Sequence, residues 1–252
     1  MYQEERLLKI LKYLNENSNM SVRTICEMFG VSRDTARRDI VRLIKQGAAV
    51  RSRGGISLPV LNNAIKNYRE RLQSYSDEKK DIAKRALEFI EEGKHYFFDV
   101  STTVSFLAQY VDKDITVFTH SLDNIEILSQ KNNIHIYSTG GSFNKKNRFF
   151  YSPDCLNYIN RIKFDAAFLG AAAITEEGIF YADEEDAYIK SNVCKNTAKV
   201  IVLADFEKFN EVSYFKGLNW DEIDMLITDS TPPDKFTHVI EENGIKLVTI
   251  DK

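Results

Sequence analysis

Apolar residues recur at helical spacing through the first fifth of the chain. Leu7, Ile10, Leu11 and Leu14 fall at i, i+3, i+4 and i+7, which predicts a first helix over 4–15. Asn17-Ser18-Asn19 ends it. Ser21 is placed to cap a second helix that carries Val22, Ile25, Cys26 and Phe29 on one face, and Gly30 supplies a turn. Ser32 caps a third helix, which buries Ala36, Ile40, Leu43 and Ile44 and stops at Gly47. Residues 48–53 read as a short two-stranded wing. The pattern is helix, helix, turn, helix, wing.

Periodicity then lapses around Pro59, and the pattern that follows is different. Ile82, Ala83, Ala86, Leu87 and Ile90 mark a helix capped near Ser76. Short apolar runs at 96–100, 115–119, 134–138, 166–170, 200–204, 225–228 and 247–250 alternate with helical stretches. Near-continuous apolar strands separated by helices predict a mostly parallel sheet covered on both faces. The expected fold class is α/β. A small winged helix-turn-helix domain (1–57) is joined by a linker (58–72) to a larger α/β domain (73–252).

Charge is divided in the same place. Residues 1–57 hold 11 basic and 6 acidic residues, leaving 23 basic and 31 acidic in the remainder. The overall charge of −3 conceals a basic head on an acidic body. Nucleic acid attracts the first and repels the second. Cys26, Cys155 and Cys194 are far apart and odd in number, without zinc-ligand spacing, which fits a reduced cytoplasm. No apolar run approaches the roughly 18 residues of a membrane span. Nothing in the pattern calls for a metal or a cofactor.

Candidate chemistry in the head lies on the third helix. Arg38, Arg42 and Lys45 point away from its apolar face, Arg37 lies between the faces, and Arg33 and Thr35 occupy the first turn behind Ser32. The N-terminal residues of such a helix reach base edges in the major groove. Arginine serves equally for bidentate contact to guanine and for clamping phosphate, and the sequence leaves both open for Arg37 and Arg38. Arg51 and Arg53 on the wing are placed for backbone or minor groove. A charged helix face alone means only solvation. Three short helices, a glycine turn, a capped basic helix and a basic wing together point to double-stranded DNA.

In the body, four polar stretches fall where strands end and helices begin, the edge at which open α/β sheets bind ligands. They are Asp99-Val100-Ser101-Thr102-Thr103, Thr119-His120-Ser121, Gly140-Gly141 and Gly170, with Asp186 and Lys190 on a later helix at i, i+4. Ser/Thr at a helix start with free amides makes an anion cradle, although most such residues are simply caps. Asp186 and Lys190 by themselves read as a surface ion pair.

Residues 31–55, VSRDTARRDIVRLIKQGAAVRSRGG, resemble the signature of the DeoR family of bacterial transcriptional regulators, through Val31, Ser32, Thr35, Arg37, Arg38, Asp39, Ile40 and the closing Gly-Gly. Ala36 stands where isoleucine is usual. The resemblance continues through Tyr68 and Arg71, Glu78-Lys79, the D-x-G-T-T loop at Asp99–Thr103, T-N-S at Thr119–Ser121, Gly140-Gly141, Gly170, Asp186 with Lys190, and Asp205 with Lys208. It implies a body related to the ribose-5-phosphate isomerase fold that binds a phosphorylated sugar or related metabolite and thereby changes DNA affinity. On that basis the effector residues are Asp99, Ser101, Thr102, Thr103, Thr119, His120, Ser121, Gly140, Gly141, Arg148, Gly170, Asp186, Lys190 and Lys208. The chain departs from the family pattern at Ser101, in place of glycine, and at His120, in place of asparagine. His120 is compatible with pairing to phosphate, with proton sensing or with filling space. The segment 143–153 is aromatic and basic, with Lys145, Lys146 and Arg148, and lacks a glycine expected near 152.

The expected protein is a sequence-specific repressor of a carbohydrate operon, released by a phosphosugar and acting as a homodimer or homotetramer, since one winged helix covers only a half-site. The competing reading is a phosphosugar isomerase-like enzyme using Asp99 or Asp186 as base, for which the basic head has no purpose. A third, a non-specific architectural DNA binder, leaves the large body without a task.

Overall fold

The computed structural model describes residues 3–17, 19–45, 49–52, 54–57 and 75–250. The chain divides into two compact units, Met1–Lys66 and Asn67–Lys252. The expected linker (58–72), Gly47, Ala48, Arg53, Tyr68 and Arg71 lie outside the described residues.

In the first unit, α1 (Gln3–Asn17), α2 (Val22–Phe29) and α3 (Arg33–Lys45) enclose a core of Leu7, Ile10, Leu14, Met20, Ile25, Ala36, Ile40, Leu43, Ala49 and Ile56. The caps are those the sequence announces. Ser21 Oγ accepts from the Thr24 amide at 3.0 Å, and Ser32 Oγ from the Thr35 amide at 3.2 Å. Gly30 closes α2 at φ 63°, a conformation glycine adopts without penalty. The wing differs from expectation. Its hairpin pairs β2 (Val50–Ser52) with β3 (Gly55–Ser57), and a third strand, β1 (Asn19–Ser21), completes the sheet in the order β1-β3-β2. Met20 pairs with Ile56 and both are buried, so the polar Asn-Ser-Asn break leads into a strand whose middle residue belongs to the core. Asp39, flanked by exposed arginines, is fully buried. Its carboxylate accepts from Arg6 Nε at 2.6 Å, from the second Arg6 nitrogen at 3.1 Å and from Gln3 Nε2 at 2.9 Å, tying α1 to α3.

The second unit centres on seven parallel strands: β4 (His95–Phe98), β5 (Ile115–Thr119), β6 (Ile134–Ser138), β9 (Ala166–Gly170), β12 (Val200–Leu203), β14 (Met225–Thr228) and β15 (Lys246–Thr249). All seven coincide with the apolar runs read from the sequence. Alternate residues serve the two faces. Tyr96, Phe98, Phe168 and Ile201 pack with Ile82 and Ala86 of α4 (Ser76–Ala86) and with Val104 and Leu107 of α5 (Thr102–Tyr110). Phe97, Leu169 and Val202 pack with Ile159 of α7 (Pro153–Ile159), Ile189 and Val193 of α8 (Glu184–Cys194), and Phe236 and Ile240 of α9 (Asp234–Glu242). The short helix α6 (Leu122–Leu128) follows β5. Ser76 is the first helical residue of α4 and not its cap; Tyr75 holds that position at φ 53° with no side-chain capping bond.

Two smaller sheets have no counterpart in the sequence reading. The aromatic-basic segment forms a hairpin of β7 (Ser142–Asn144) and β8 (Phe149–Tyr151). A second sheet joins β10 (Ala173–Thr175), β11 (Gly178–Tyr181) and β13 (Phe215–Leu218).

The strand order β15-β14-β12-β9-β4-β5-β6 fixes where a crevice opens. Connections from β4 run one way, to β5 and β6, and those from β9 run the other, to β12, β14 and β15. The switch therefore lies between the carboxyl ends of β4 and β9.

Asp39→Asn is expected to lower stability in urea unfolding by about 3 kcal/mol, because it strands the Arg6 guanidinium without its carboxylate. Breaking the exposed pair Arg23–Glu27, 82% and 63% accessible, leaves the curve unchanged.

Candidate functional site

On α3 the side chains divide sharply by partner. Arg33, Arg37 and Arg38 are exposed and make no hydrogen bond or ion pair among the described residues. Asp34 in the first turn is likewise exposed and unpaired. Arg42 was expected on the same outward face. It is half-buried and donates to Gln3 Oε1 at 2.6 Å, because its place on the helix faces α1. Ser32 and Thr35 are engaged with each other, their hydroxyls 3.0 Å apart, as parts of the cap. Arg51 is exposed on β2, Arg53 lies outside the described residues, and nothing is described of the Lys45 side chain. Among the described residues of α3 the free, outward cations are therefore those of its first two turns.

In the second unit the scattered motifs of the sequence meet at the switch point. Asp99, at the end of β4, accepts from the Gly170 amide at 2.7 Å and from the Ser101 amide at 2.8 Å. Its Oδ2 also lies 2.8 Å from Lys190 Nζ. Lys190 bonds Asp186 Oδ2 at 2.8 Å, and Asp186 Oδ1 lies 2.8 Å from His120 Nε2. A continuous polar chain thus joins β4, β9, α8 and the end of β5. The i, i+4 pair read as a surface ion pair is buried, with Lys190 2% and Asp186 7% exposed. The Lys190 ammonium also sits 3.8 Å above the centre of the Tyr181 ring. Gly217 makes room for that ring, since a Cβ there would lie 2.3 Å from Tyr181 Cε2.

The electrostatics follow from the packing. Burial opposes ionisation of Asp186, but Lys190 and His120 outweigh it and hold the carboxyl at about 2, against an ordinary 3.8. Burial likewise pulls Lys190 down, and the two carboxylates overcome it, so its pKa is raised. Burial pushes the Cys194 thiol up to about 12, which leaves it inert.

The remaining predicted residues divide between ligand edge and scaffold. Ser101 caps α5, accepting from the Val104 amide at 3.2 Å, with φ −72°. Its backbone does not require the glycine it replaces. Its side chain occupies the space above Gly170, where a Cβ would meet Ser101 Cβ at 2.2 Å. Thr102 and Thr103 are buried in the first turn of α5, where their amides have no acceptor within the helix. Thr119 donates to the Phe98 carbonyl at 2.6 Å, and Ser121 caps α6 through the Asn124 amide at 3.2 Å. Gly140 and Gly141 serve a tight turn. Gly141 has φ 109°, and a Cβ on it would lie 2.3 Å from the Tyr151 carbonyl oxygen. Arg148 is drawn away from the cluster, since its Nε bonds Asp123 at 2.8 Å and its terminal nitrogen bonds Glu126 at 3.1 Å. Lys145 and Lys146 are exposed at the hairpin tip, and Lys208 is half-buried on a turn after β12.

Several residues of the site have no sequence signal of their own. Asn124, fully buried, donates to the Asp99 carbonyl at 2.7 Å and accepts from Ser105 at 3.1 Å, fixing β4 to α6. Buried side-chain atoms without a hydrogen-bond partner among the described residues gather along the same edge: His120 Nδ1, Thr139 Oγ1, both Asp205 oxygens and Thr228 Oγ1, after β5, β6, β12 and at the end of β14. Tyr181 Oη, beside Lys190, is a further one. Native interiors leave few such atoms, and each asks for a reason.

A basic helix with free arginines on a small winged domain, and a separate α/β unit with a buried polar cluster at the switch point of its sheet, define a regulator with an output and a sensor. Model comparison agrees, with residues 6–60 matching the DeoR-like helix-turn-helix domain and residues 74–230 the DeoR C terminal sensor domain. The chain belongs to the DeoR family and is a DNA-binding transcriptional regulator. It is 38% identical over 253 residues to the HTH-type transcriptional repressor GlcR of Bacillus subtilis (100% of this chain, 98% of the relative). It is 31% identical over 253 residues to the HTH-type transcriptional regulator GlpR of Haloferax volcanii (98% of each). The Glycerol-3-phosphate regulon repressor of Escherichia coli is 25% identical over 250 residues (98% and 99%). Among solved structures, ribose 5-phosphate isomerase A of Methanocaldococcus jannaschii matches 54% of this chain and 55% of its own, with TM-score 0.39 and 17% identity.

Lys190→Met is expected to cost about 3–5 kcal/mol, since it leaves two buried carboxylates without their cation. Asp186 is ionised in the fold down to about 2 and in the unfolded chain only to 3.8. Its contribution, roughly 2 kcal/mol, is complete above the higher value and lost as pH falls through the lower. Denaturant unfolding between pH 2 and 6 should show this loss in the native protein and a flatter acid limb in Lys190→Met.

Proposed function

We propose that the protein represses a carbohydrate-use operon and releases it when a phosphorylated sugar occupies the carboxyl edge of its parallel sheet. The observation that carries this reading is the convergence of Asp99, Lys190, Asp186 and His120 at the switch point, beside the amino end of α5. The names of the relatives from Bacillus and Escherichia accord with it. Arg37 and Arg38 contact the operator, with Arg33, Arg51 and Arg53 as further contacts. Thr102 and Thr103 receive the phosphate on backbone amides, Ser101 closes the cap, and Lys190 holds Asp99 and Asp186 in place behind them.

The site binds without turnover, and an inducing ligand prefers the sensor in the state that does not hold DNA. Two winged domains in a homodimer or homotetramer span the two halves of an operator. The expected domain limits, 1–57 and 73–252, stand as the working boundaries. The protein works in the cytoplasm. No described helix is long and apolar enough to cross a membrane.

Arg38→Ala should weaken operator binding by about tenfold or more in a mobility-shift titration while leaving sugar phosphate binding intact. Melting temperature should rise in millimolar glucose 6-phosphate, fructose 6-phosphate or ribose 5-phosphate. No rise with any of them sinks the sensor assignment, and isomerisation of ribose 5-phosphate by purified protein revives the enzyme.

A further inference from the structure

Helices α7 and α8 lie side by side on one face of the large sheet and turn unspent charge to the outside. They pack against each other, with Cys155 and Ile159 of the first and Ile189 and Val193 of the second in one core. They also run in the same sense. Just past their ends, Asn196 Nδ2 donates to Asn160 Oδ1 at 3.3 Å. At their starts, burial raises the pKa of Tyr151, and Cys155, Glu185, Tyr188 and Glu184 add to it. Along α7 and its cap the exposed residues at i, i+4 and i+7 are Asp154, Tyr158 and Arg161. Along α8 and its cap the exposed stripe is Glu184, Tyr188 and Lys195, with Glu185 beside the first. Both stripes read acid, tyrosine, base. Tyr158 is 40% and Tyr188 52% exposed. None of the five charges makes an ion pair among the described residues. On the opposite face of the sheet α4 pairs its own charges, Lys80 with Asp77, Lys84 with Asp81 and Arg85 with Glu88. The acids that act on Cys194 near the basic end, Glu222 and Asp224, are taken by the amides of Asn219 and Val200. A helix dipole favours acids at the start and bases at the end, which accounts for the charge order on either helix alone. It does not account for a bare tyrosine between the ends of both.

We propose that the α7–α8 face is the two-fold interface between the sensor units of two copies of this chain, the helices of one copy lying antiparallel across those of the other. The proposal rests on the reading above only in that two winged domains must be brought to one operator. A two-fold contact uses the same patch twice and must be complementary to itself. A face of one sign repels its own copy. This face carries both signs, separated by about 10 Å along α7 and about 16 Å along α8. In the antiparallel pair Asp154, Glu184 and Glu185 of each copy meet Arg161 and Lys195 of the other, and the tyrosines meet near the axis. The parallel arrangement sets acid on acid and is rejected, so the charges fix the direction of docking. Tyrosine is enriched where protein surfaces meet, since its ring covers a large area and its hydroxyl tolerates water. α8 then carries the partner on one face and Asp186 and Lys190 on the other, so the buried cluster and the second copy share one helix.

Sedimentation velocity of the full chain over a range of concentrations would compare the native protein with three variants. One carries Glu184→Lys and Glu185→Lys, the second Arg161→Glu and Lys195→Glu, the third Tyr158→Ala and Tyr188→Ala. Melting temperature and near-ultraviolet circular dichroism report whether each is folded. Each variant should raise the dissociation constant of this contact by roughly tenfold or more. A native tetramer should then stop at dimers. An equal mixture of the two charge-reversed chains should associate to within about threefold of the native protein, because an all-basic face meets an all-acidic one. The tyrosines lie outside the core, so the third variant carries the test if a charge reversal prevents folding. Unchanged association in any folded variant overturns the proposal and moves the interface elsewhere. A mixture that stays dissociated overturns it too, since the charges then do not cross the contact. A native chain that is monomeric both free and on operator DNA removes the reading of paired heads, and this proposal with it. A native oligomer that no variant disturbs removes this proposal alone.

Discussion

Lys190 is a buried ammonium on α8 that reaches two carboxylates from different parts of the chain. Asp99 ends β4 and also takes the amide of Gly170, the last residue of β9. Asp186 passes the charge on to His120, beyond β5. Three strand ends and a helix are therefore held at one point, at the place where the strand order of the sheet reverses. Removing an ammonium from water is expensive, and two carboxylates and an aromatic face offset that cost only if their geometry is kept. The requirement runs outward: Gly217 must be small so that Tyr181 can lie beneath the ammonium, Gly170 so that Ser101 can pack directly against its backbone, and Asn124 must hold the Asp99 carbonyl.

The first unit repeats the arrangement at smaller scale. Asp39 and Arg6 exchange two hydrogen bonds where α1 crosses α3, and Gln3 links Asp39 to Arg42. A winged domain of this size has a modest core, and a buried bidentate pair sets the angle of the recognition helix more sharply than apolar contact alone. The orientation of Arg37 and Arg38 toward solvent is a consequence of where Asp39 points.

Much of this was legible in advance. The inner parallel strands were marked by apolar runs, because a strand buried on both faces must be apolar nearly throughout; the edge strands β6 and β15 are partly exposed and carry polar residues. The helix starts at Ser21 and Ser32 were marked because capping chemistry is local. The site residues Asp99, His120, Gly170, Asp186 and Lys190 were named from strand ends and from resemblance, but their joining was not visible, since the separation of Asp99 from Lys190 along the chain hides a direct contact. Burial reverses the reading of Asp186 and Lys190, whose helical spacing alone describes a surface pair. Arg42 and Arg148 were misplaced for the opposite reason. A basic side chain near a site looks available until its partners, Gln3 in one case and Asp123 and Glu126 in the other, are seen. The hairpin at 142–151 depends on Asn144 and Asn147 reaching Asp183, a tertiary contact with no periodic trace.

The run Arg37-Arg38-Asp39 joins two jobs in three consecutive letters. Two side chains face outward and the third is locked to another helix. Asp39, the apolar residues Ala36, Ile40 and Leu43 and the Arg42–Gln3 bond seat α3, and the outward set of Arg33, Asp34, Arg37, Arg38 and Val41 takes no part in holding it. Those outward positions can therefore be exchanged without altering how the helix is held.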